Sequence, residues 1–202
     1  MIQVNNRIRQ WNLWQDRPEW KIVQEALQRG AAQFPCELKM LLSFVESLCP
    51  KVVMEIGTLY GGMFWAFSQV MDPDGLLISL DWPHPVVDQE KREQSITKPR
   101  SVRWILADSH SSITPSMVTQ ALEGNQIDLL FIDGGHTYES VKMDYEMYCP
   151  FVRSGGWIGF HDINSCSKEF MEVDRFWKER KGLKFEFNEY KDKNGIGILR
   201  KE

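Results

Sequence analysis

The sequence has no excess of basic charge, no long apolar run and no closely paired cysteines, and each lack removes a class of function. Its 24 Lys and Arg stand against 28 Asp and Glu, a formal charge of −4, so it lacks the cationic footprint that non-specific nucleic-acid binding requires. No apolar stretch approaches the roughly 18 residues of a membrane-spanning helix. The opening MIQVNNRIRQWNLWQD has no apolar segment of the secretory-leader kind, so a soluble, cytoplasmic protein is expected, with no nucleic-acid or membrane partner. Cys36, Cys49, Cys149 and Cys166 never form a CxxC pair. Their spacing fits neither a zinc knuckle nor a small disulfide scaffold, and points to free thiols in a reducing compartment. Internal repeats and low-complexity tracts are also missing.

What is present is the balance of a folded domain, with 43% hydrophobic and 26% charged residues in 202. A chain of this length buries enough surface to fold without staples. Its eight tryptophans either fill a core or line a groove; composition alone does not choose between them.

Helical spacing of Trp20, Val23, Ala26 and Leu27 predicts a helix over 19–29. Leu38, Leu41, Leu42, Val45 and Leu48 predict a second over 37–48, ended by Pro50. Beyond residue 50 the texture changes. Continuous apolar runs at 52–56, 76–80, 102–107, 127–132 and 156–160 suit strands covered on both faces of a parallel sheet. Helical stretches at 61–71, 114–123, 137–148 and 167–180 alternate with them, and 183–190 with 195–200 read as a closing antiparallel hairpin. The expectation is a doubly wound α/β sheet over 51–202 behind an N-terminal helical arm or lid, 1–50. Trp11, Trp14 and Trp20 of that arm cover the substrate, form a dimer interface, or pin the arm to the sheet.

Ligands of such sheets bind beyond the carboxyl ends of the strands. The residues there are the loop Glu55-Ile56-Gly57-Thr58-Leu59-Tyr60-Gly61-Gly62, then Asp81-Trp82, Asp108-Ser109-His110, Asp133-Gly134-Gly135-His136 and His161-Asp162. All four histidines, His84, His110, His136 and His161, fall at or just past these ends. The glycine loop permits a tight turn and close ligand approach, although its spacing is not the GxGxxG of dinucleotide folds. Asp81, at the end of the second strand, is placed to accept ribose hydroxyls. Asp133 and Asp162, on neighbouring strands, would repel unless a cation stood between them. A divalent ion suits that arrangement, with His161 as a third ligand. The alternative is that Asp162 or Asn164 caps a helix beginning near Ser165. His136 is either a general base of near-neutral pKa or a turn histidine bonded to the backbone.

Taken together, residues 51–200 resemble the class I S-adenosylmethionine-dependent methyltransferases. The strings FIDGGHTYESVKMDYEMYCPFVRSGGWIGFHDI and ADSHSS resemble the small-molecule branch of macrocin-type O-methyltransferases and cephalosporin hydroxylase-like proteins. The resemblance implies a Rossmann-like seven-stranded sheet of order 3-2-1-4-5-7-6 with strand seven antiparallel. It implies S-adenosyl-L-methionine over Glu55, Gly57, Thr58, Tyr60, Gly61 and Gly62, with Asp81 and Trp82 at the ribose, Asp108 and Ser109 near the adenine, and Asp133 alongside. It further implies magnesium, or another divalent metal, at Asp133, His161 and Asp162, and His136 as the catalytic base. The chain departs from the family at Met63, where a serine is common, and at His161, where metal-dependent sugar methyltransferases carry an acid. A small hydroxylated molecule, a sugar or a phenol, is the implied acceptor. The rival readings are a metal-dependent hydroxylase or hydrolase centred on His110, His136, His161 and Asp133, and a non-catalytic cofactor-binding protein. The oligomeric state stays open, a homo-oligomer among the options.

Overall fold

The apolar runs become strands β1 (Val52–Ile56), β2 (Leu76–Asp81), β3 (Ser101–Leu106), β4 (Ile127–Ile132) and β5 (Val152–His161), followed by the hairpin β6 (Lys184–Phe187) and β7 (Ile196–Arg200). This computed structural model describes residues 18–164 and 171–202. The strands form one sheet of order β3-β2-β1-β4-β5-β7-β6. Neighbours among β1–β5 are parallel, and β7 runs antiparallel to both β5 and β6. It is the Rossmann-like order expected of the resembling family.

Every residue of β1 is buried, as a central parallel strand requires, and its side chains alternate between two cores. Val52, Met54 and Ile56 face α5 (Thr114–Leu122), α6 (Tyr138–Tyr148) and α7 (Val173–Glu179), packing with Val118, Tyr148 and Trp177. Val53, with Leu77, Leu129 and Phe131, faces α1 (Pro18–Gln28), α2 (Pro35–Leu48) and α3 (Gly62–Val70). There Val23, Leu38, Leu41 and Phe64 are at most 1% exposed. Burying each such side chain contributes roughly 1.5–3 kcal/mol relative to exposure, so the described N-terminal helices are part of the core of the sheet. Gly62 opens α3 against them: a Cβ there would stand 2.2 Å from the Ala31 nitrogen. Among the described tryptophans only Trp82 is exposed, at 60%, so the tryptophan surplus is largely core.

The boundaries differ from expectation in four places, one being β6, which ends at Phe187 rather than 190. β5 begins at Val152 rather than 156, because polar Arg153 and Ser154 interrupt the apolar run while Val152 still pairs with Ile127 across a register shift. The short α4 (Gln89–Gln94) was not expected, because QEKREQ carries no apolar stripe; Asp88 caps it by accepting from the Lys91 amide at 3.0 Å. α7 starts at Val173 rather than 167. The expected helix start near Ser165 lies outside the described residues, as do Phe170, Cys166, Trp11 and Trp14. No helix among the described residues is long and apolar enough to cross a membrane. Cys36, Cys49 and Cys149 are free thiols.

Candidate functional site

The carboxyl ends of β1, β4 and β5 meet at a cleft of about 520 Å³ whose walls include Glu55, Gly57, Asp133, His136, His161 and Asp162. The chain reaches it through turns that only certain residues allow. Gly57 has φ +87°, and a Cβ there would stand 2.1 Å from the Asp133 carbonyl oxygen, so glycine is what lets the β1 turn press against the β4 turn. Thr137 caps α6 by accepting from the Ser140 amide at 3.1 Å. The amide of Glu172 donates to the His136 carbonyl at 2.8 Å, tying the DGGH turn to the start of α7.

Asp133, His136 and Asp162 each present one donor atom, all within 4.8 Å of one another. His136 Nε2 lies 3.2 Å from Asp162 Oδ2. That contact raises the His136 pKa, with burial opposing it. Asp162 holds a left-handed backbone, φ 63°, which its short polar side chain tolerates better than most. Its carboxylate is directed to His136 and His161, and the helix start it was alternatively expected to cap lies outside the described residues.

His161 packs between the two aspartates. Its Nδ1 lies 3.0 Å from Asp133 Oδ1 and 3.3 Å from Asp162 Oδ2, so the nitrogen facing the acids is already bonded. Burial opposes its charge, but Asp133 and then Asp162 lift its pKa to about 10. The two acids thus favour the protonated ring, which would screen them from each other, and His161 stands outside the three converging donors. Sequence reasoning also missed Gln33, in the α1–α2 loop. Its Nε2 donates to Asp133 Oδ2 at 2.7 Å, and its Oε1 is buried with no partner.

Glu55, the penultimate residue of β1, is 1% exposed. Burial, then the neighbouring Asp133 charge, pushes its pKa well above the carboxylate range, and its Oε2 has no partner. Thr58 is buried beside it, its hydroxyl 2.8 Å from that of Ser79.

A second lobe of about 300 Å³ adjoins the first through Gly57, Leu59, Asp133 and His136, and it also reaches Asp81, Trp82, Asp108 and Ser109. Asp81 Oδ2 accepts from the Leu59 amide at 2.9 Å and from Arg92 at 2.7 Å. Arg92 also bonds the Leu59 carbonyl. This clamp holds Leu59 in the left-handed region, φ 45°. Asp108 Oδ1 accepts from the His110 amide at 2.9 Å, shaping the ADSH turn.

Some expected residues lie elsewhere. Tyr60 lines neither lobe and packs on Gly30, behind the glycine turn. Gly61 caps α3 with φ +87°. His110 Nε2 stands 3.1 Å from the fully buried Asp144 of α6, so the four-residue metal centre through His110 is not assembled. His84 sits exposed in the β2–α4 loop.

The methyltransferase-domain family matches residues 54–163. The uncharacterized protein y4gI of Sinorhizobium fredii is 26% identical over 165 residues, a match covering 77% of this chain and 18% of that protein. The uncharacterized protein R132 of Acanthamoeba polyphaga mimivirus is 50% identical over 38 residues, covering 19% and 17%. The chain thus spans under a fifth of the length of these curated relatives. Among solved structures, an O-methyltransferase from Bacillus cereus in complex with SAH superposes with TM-score 0.67 at 18% identity, covering 100% of both chains. The O-methyltransferase TomG of Streptomyces achromogenes, in complex with SAM, superposes with TM-score 0.66 at 14% identity, covering 90% of each. At these identities the likeness is one of fold.

Proposed function

The chain belongs to the methyltransferase-domain family, and from that premise we propose that it transfers the methyl group of S-adenosylmethionine to a hydroxyl of a small hydroxylated molecule, assisted by a divalent cation. One observation carries the reading. The glycine turn, the acid ending β2 and the Asp133–His136–Asp162 cluster all open into one two-lobed cleft.

The residues suit the cofactor. The lobe with Asp81 and Asp108 has the polar acceptors that a nucleoside needs, and Asp81 Oδ1 is left for a ribose hydroxyl. The orphaned Glu55 Oε2 offers an acceptor to a cationic group at the other end. Gly57 leaves open the space a side chain would fill. They also suit a hard cation, which Asp133 and Asp162 would hold with oxygen donors. When bound, that ion lowers the pKa of an acceptor hydroxyl.

The remaining work falls to the side chains. Gln33 and His161 fix the Asp133 carboxylate from two directions. With Nε2–H donated to Asp162, His136 keeps Nδ1 as its lone pair, and Asp162 steadies the imidazolium that forms when Nδ1 takes the hydroxyl proton. Its ring is 44% exposed, so an acceptor can reach it. Holding oxygen, methyl carbon and sulfur in line supplies about 7 kcal/mol or more of the barrier reduction.

Calorimetry with S-adenosylmethionine, with and without magnesium, tests this directly; no binding in either condition would end the reading. A hydroxyl-acceptor panel then compares wild type with His136→Ala. The variant should lose roughly 10²–10⁴ in kcat and keep its affinity for S-adenosylhomocysteine.

A further inference from the structure

A separate cavity of about 510 Å³ lies behind the glycine turn and shares Gly30 with the cleft. Its size is that of a small-molecule site, and its chemistry differs from that of the cleft. There Asp133 and Asp162 are paired with His161, and in the second lobe Asp81 is paired with Arg92. The cavity is walled by Arg29, Lys91 and Arg92 against one carboxylate, Asp88, whose Oδ1 already accepts from the Lys91 amide.

Two of these cations retain capacity for a ligand. Lys91 is exposed and makes no ion pair with any described residue. The Arg92 side chain is 3% exposed, and although its terminal nitrogens bond Asp81, Gln89 and the Leu59 carbonyl, its buried Nε has no acceptor. Arg29 is taken up by Glu25 at 2.7 Å and lies over the Trp65 ring. The same cavity exposes apolar surface, with Tyr60 at 51% and Val86 at 65%.

The geometry points to a second ligand subsite here: a cavity for an organic anion, a carboxylate or phosphate on an apolar body, bound by Lys91 and Arg92 against Tyr60 and Val86. This rests on the methyl-transfer reading and deepens it, because the subsite would take the anionic end of the acceptor. For an acceptor with a hydroxyl at one end and an anion at the other, the cationic cavity attracts the anion, so the molecule is oriented with its hydroxyl toward His136.

The test titrates the full chain with benzoate, phenyl phosphate and neutral benzamide, with and without S-adenosylhomocysteine, and follows backbone amide shifts. One or both anions should move the amides of residues 29–30, 60 and 86–95, and the stronger one identifies the anionic group. Benzamide should bind several-fold more weakly. Lys91→Glu should weaken the anions by about tenfold and leave S-adenosylhomocysteine affinity unchanged. Equal binding of benzamide, binding indifferent to Lys91→Glu, or shifts confined to other surfaces would overturn the subsite. Failure of S-adenosylhomocysteine itself to bind would instead overturn the methyl-transfer reading, and the anion titration is decided without it.

Discussion

Replacing His161 by glutamine should remove a pH dependence that the wild-type chain owes to one ring. His161 is 4% exposed, between Asp133 at 3.0 Å and Asp162 at 3.3 Å. Burial disfavours its charge, yet the two carboxylates raise its pKa from 6.5 to about 10. In the unfolded chain the ring titrates near 6.5. Between those two values the folded protein keeps a proton that the unfolded chain has released. The stabilisation is therefore complete below pH 6.5 and is lost as pH rises toward 10. At about 1.4 kcal/mol for each pH unit, that interval corresponds to at most about 5 kcal/mol. For a chain of this length, this amounts to roughly 10–20 °C in Tm.

Thermal unfolding followed by circular dichroism from pH 6 to 10 in the presence of a chelator reads this out. Lysines and tyrosines titrate in both proteins, so the difference between wild type and His161→Gln isolates the ring. The variant should be less stable at neutral pH, and the two curves should converge toward pH 10. Parallel curves would refute the bridging imidazolium. A second consequence concerns the cation. Any ion between Asp133 and Asp162 competes with the imidazolium, so the Tm gain from magnesium should grow with pH in wild type and stay flat in the variant.

Two other perturbations probe the cleft. Burial and the nearby Asp133 keep Glu55 protonated above the usual carboxylate range, and a cationic ligand favours its ionised form. Binding of S-adenosylmethionine should therefore release a proton and tighten with pH, and Glu55→Gln should abolish both effects in calorimetry run in two buffers of different ionisation enthalpy. Gly57→Ala places a Cβ 2.1 Å from the Asp133 oxygen at φ +87°. The left-handed backbone costs about 1–2 kcal/mol and the overlap about 1–3 kcal/mol, so scanning calorimetry should show a Tm lower by several degrees, together with weaker S-adenosylhomocysteine binding. An unchanged Tm would mean that the two turns are not wedged together.

The charges of the cleft explain why both internal cations are basic side chains from other elements. Asp81, Asp133 and Asp162 surround a partly buried space, and carboxylates left unpaired there would each cost several kcal/mol. Arg92 of α4 neutralises Asp81, and His161 of β5 stands between the other two. Both pairings hold counter-charge inside the cleft itself. In a metal-dependent relative with an acid at position 161, that internal counter-charge would be missing.

The strands and the strand-end acids were legible because both depend on chain periodicity, whereas the order of the strands in the sheet came only from the family resemblance. A run such as LLISLD has to become a covered strand, and once the strands are placed, Asp81, Asp133 and Asp162 arrive at one rim whatever their rotamers. Allocation of hydrogen bonds is a different matter. Gln33 meets Asp133 across 100 residues of sequence because α1 and α2 pack on the sheet, and no motif around RGAAQFP signals it. His161 read as a ligand because a histidine beside an aspartate offers a nitrogen. Whether that nitrogen faces a metal or bonds an acid depends on the distance between β4 and β5 side chains, which the sequence does not encode locally. Arg92 escaped for the same reason: its helix has no apolar stripe, and its importance comes from Asp81 and Leu59, which lie 11 and 33 residues away. Strand-end residue types could be read before folding, whereas the partners that set their charge and basicity become visible only when helices remote in sequence are packed against them.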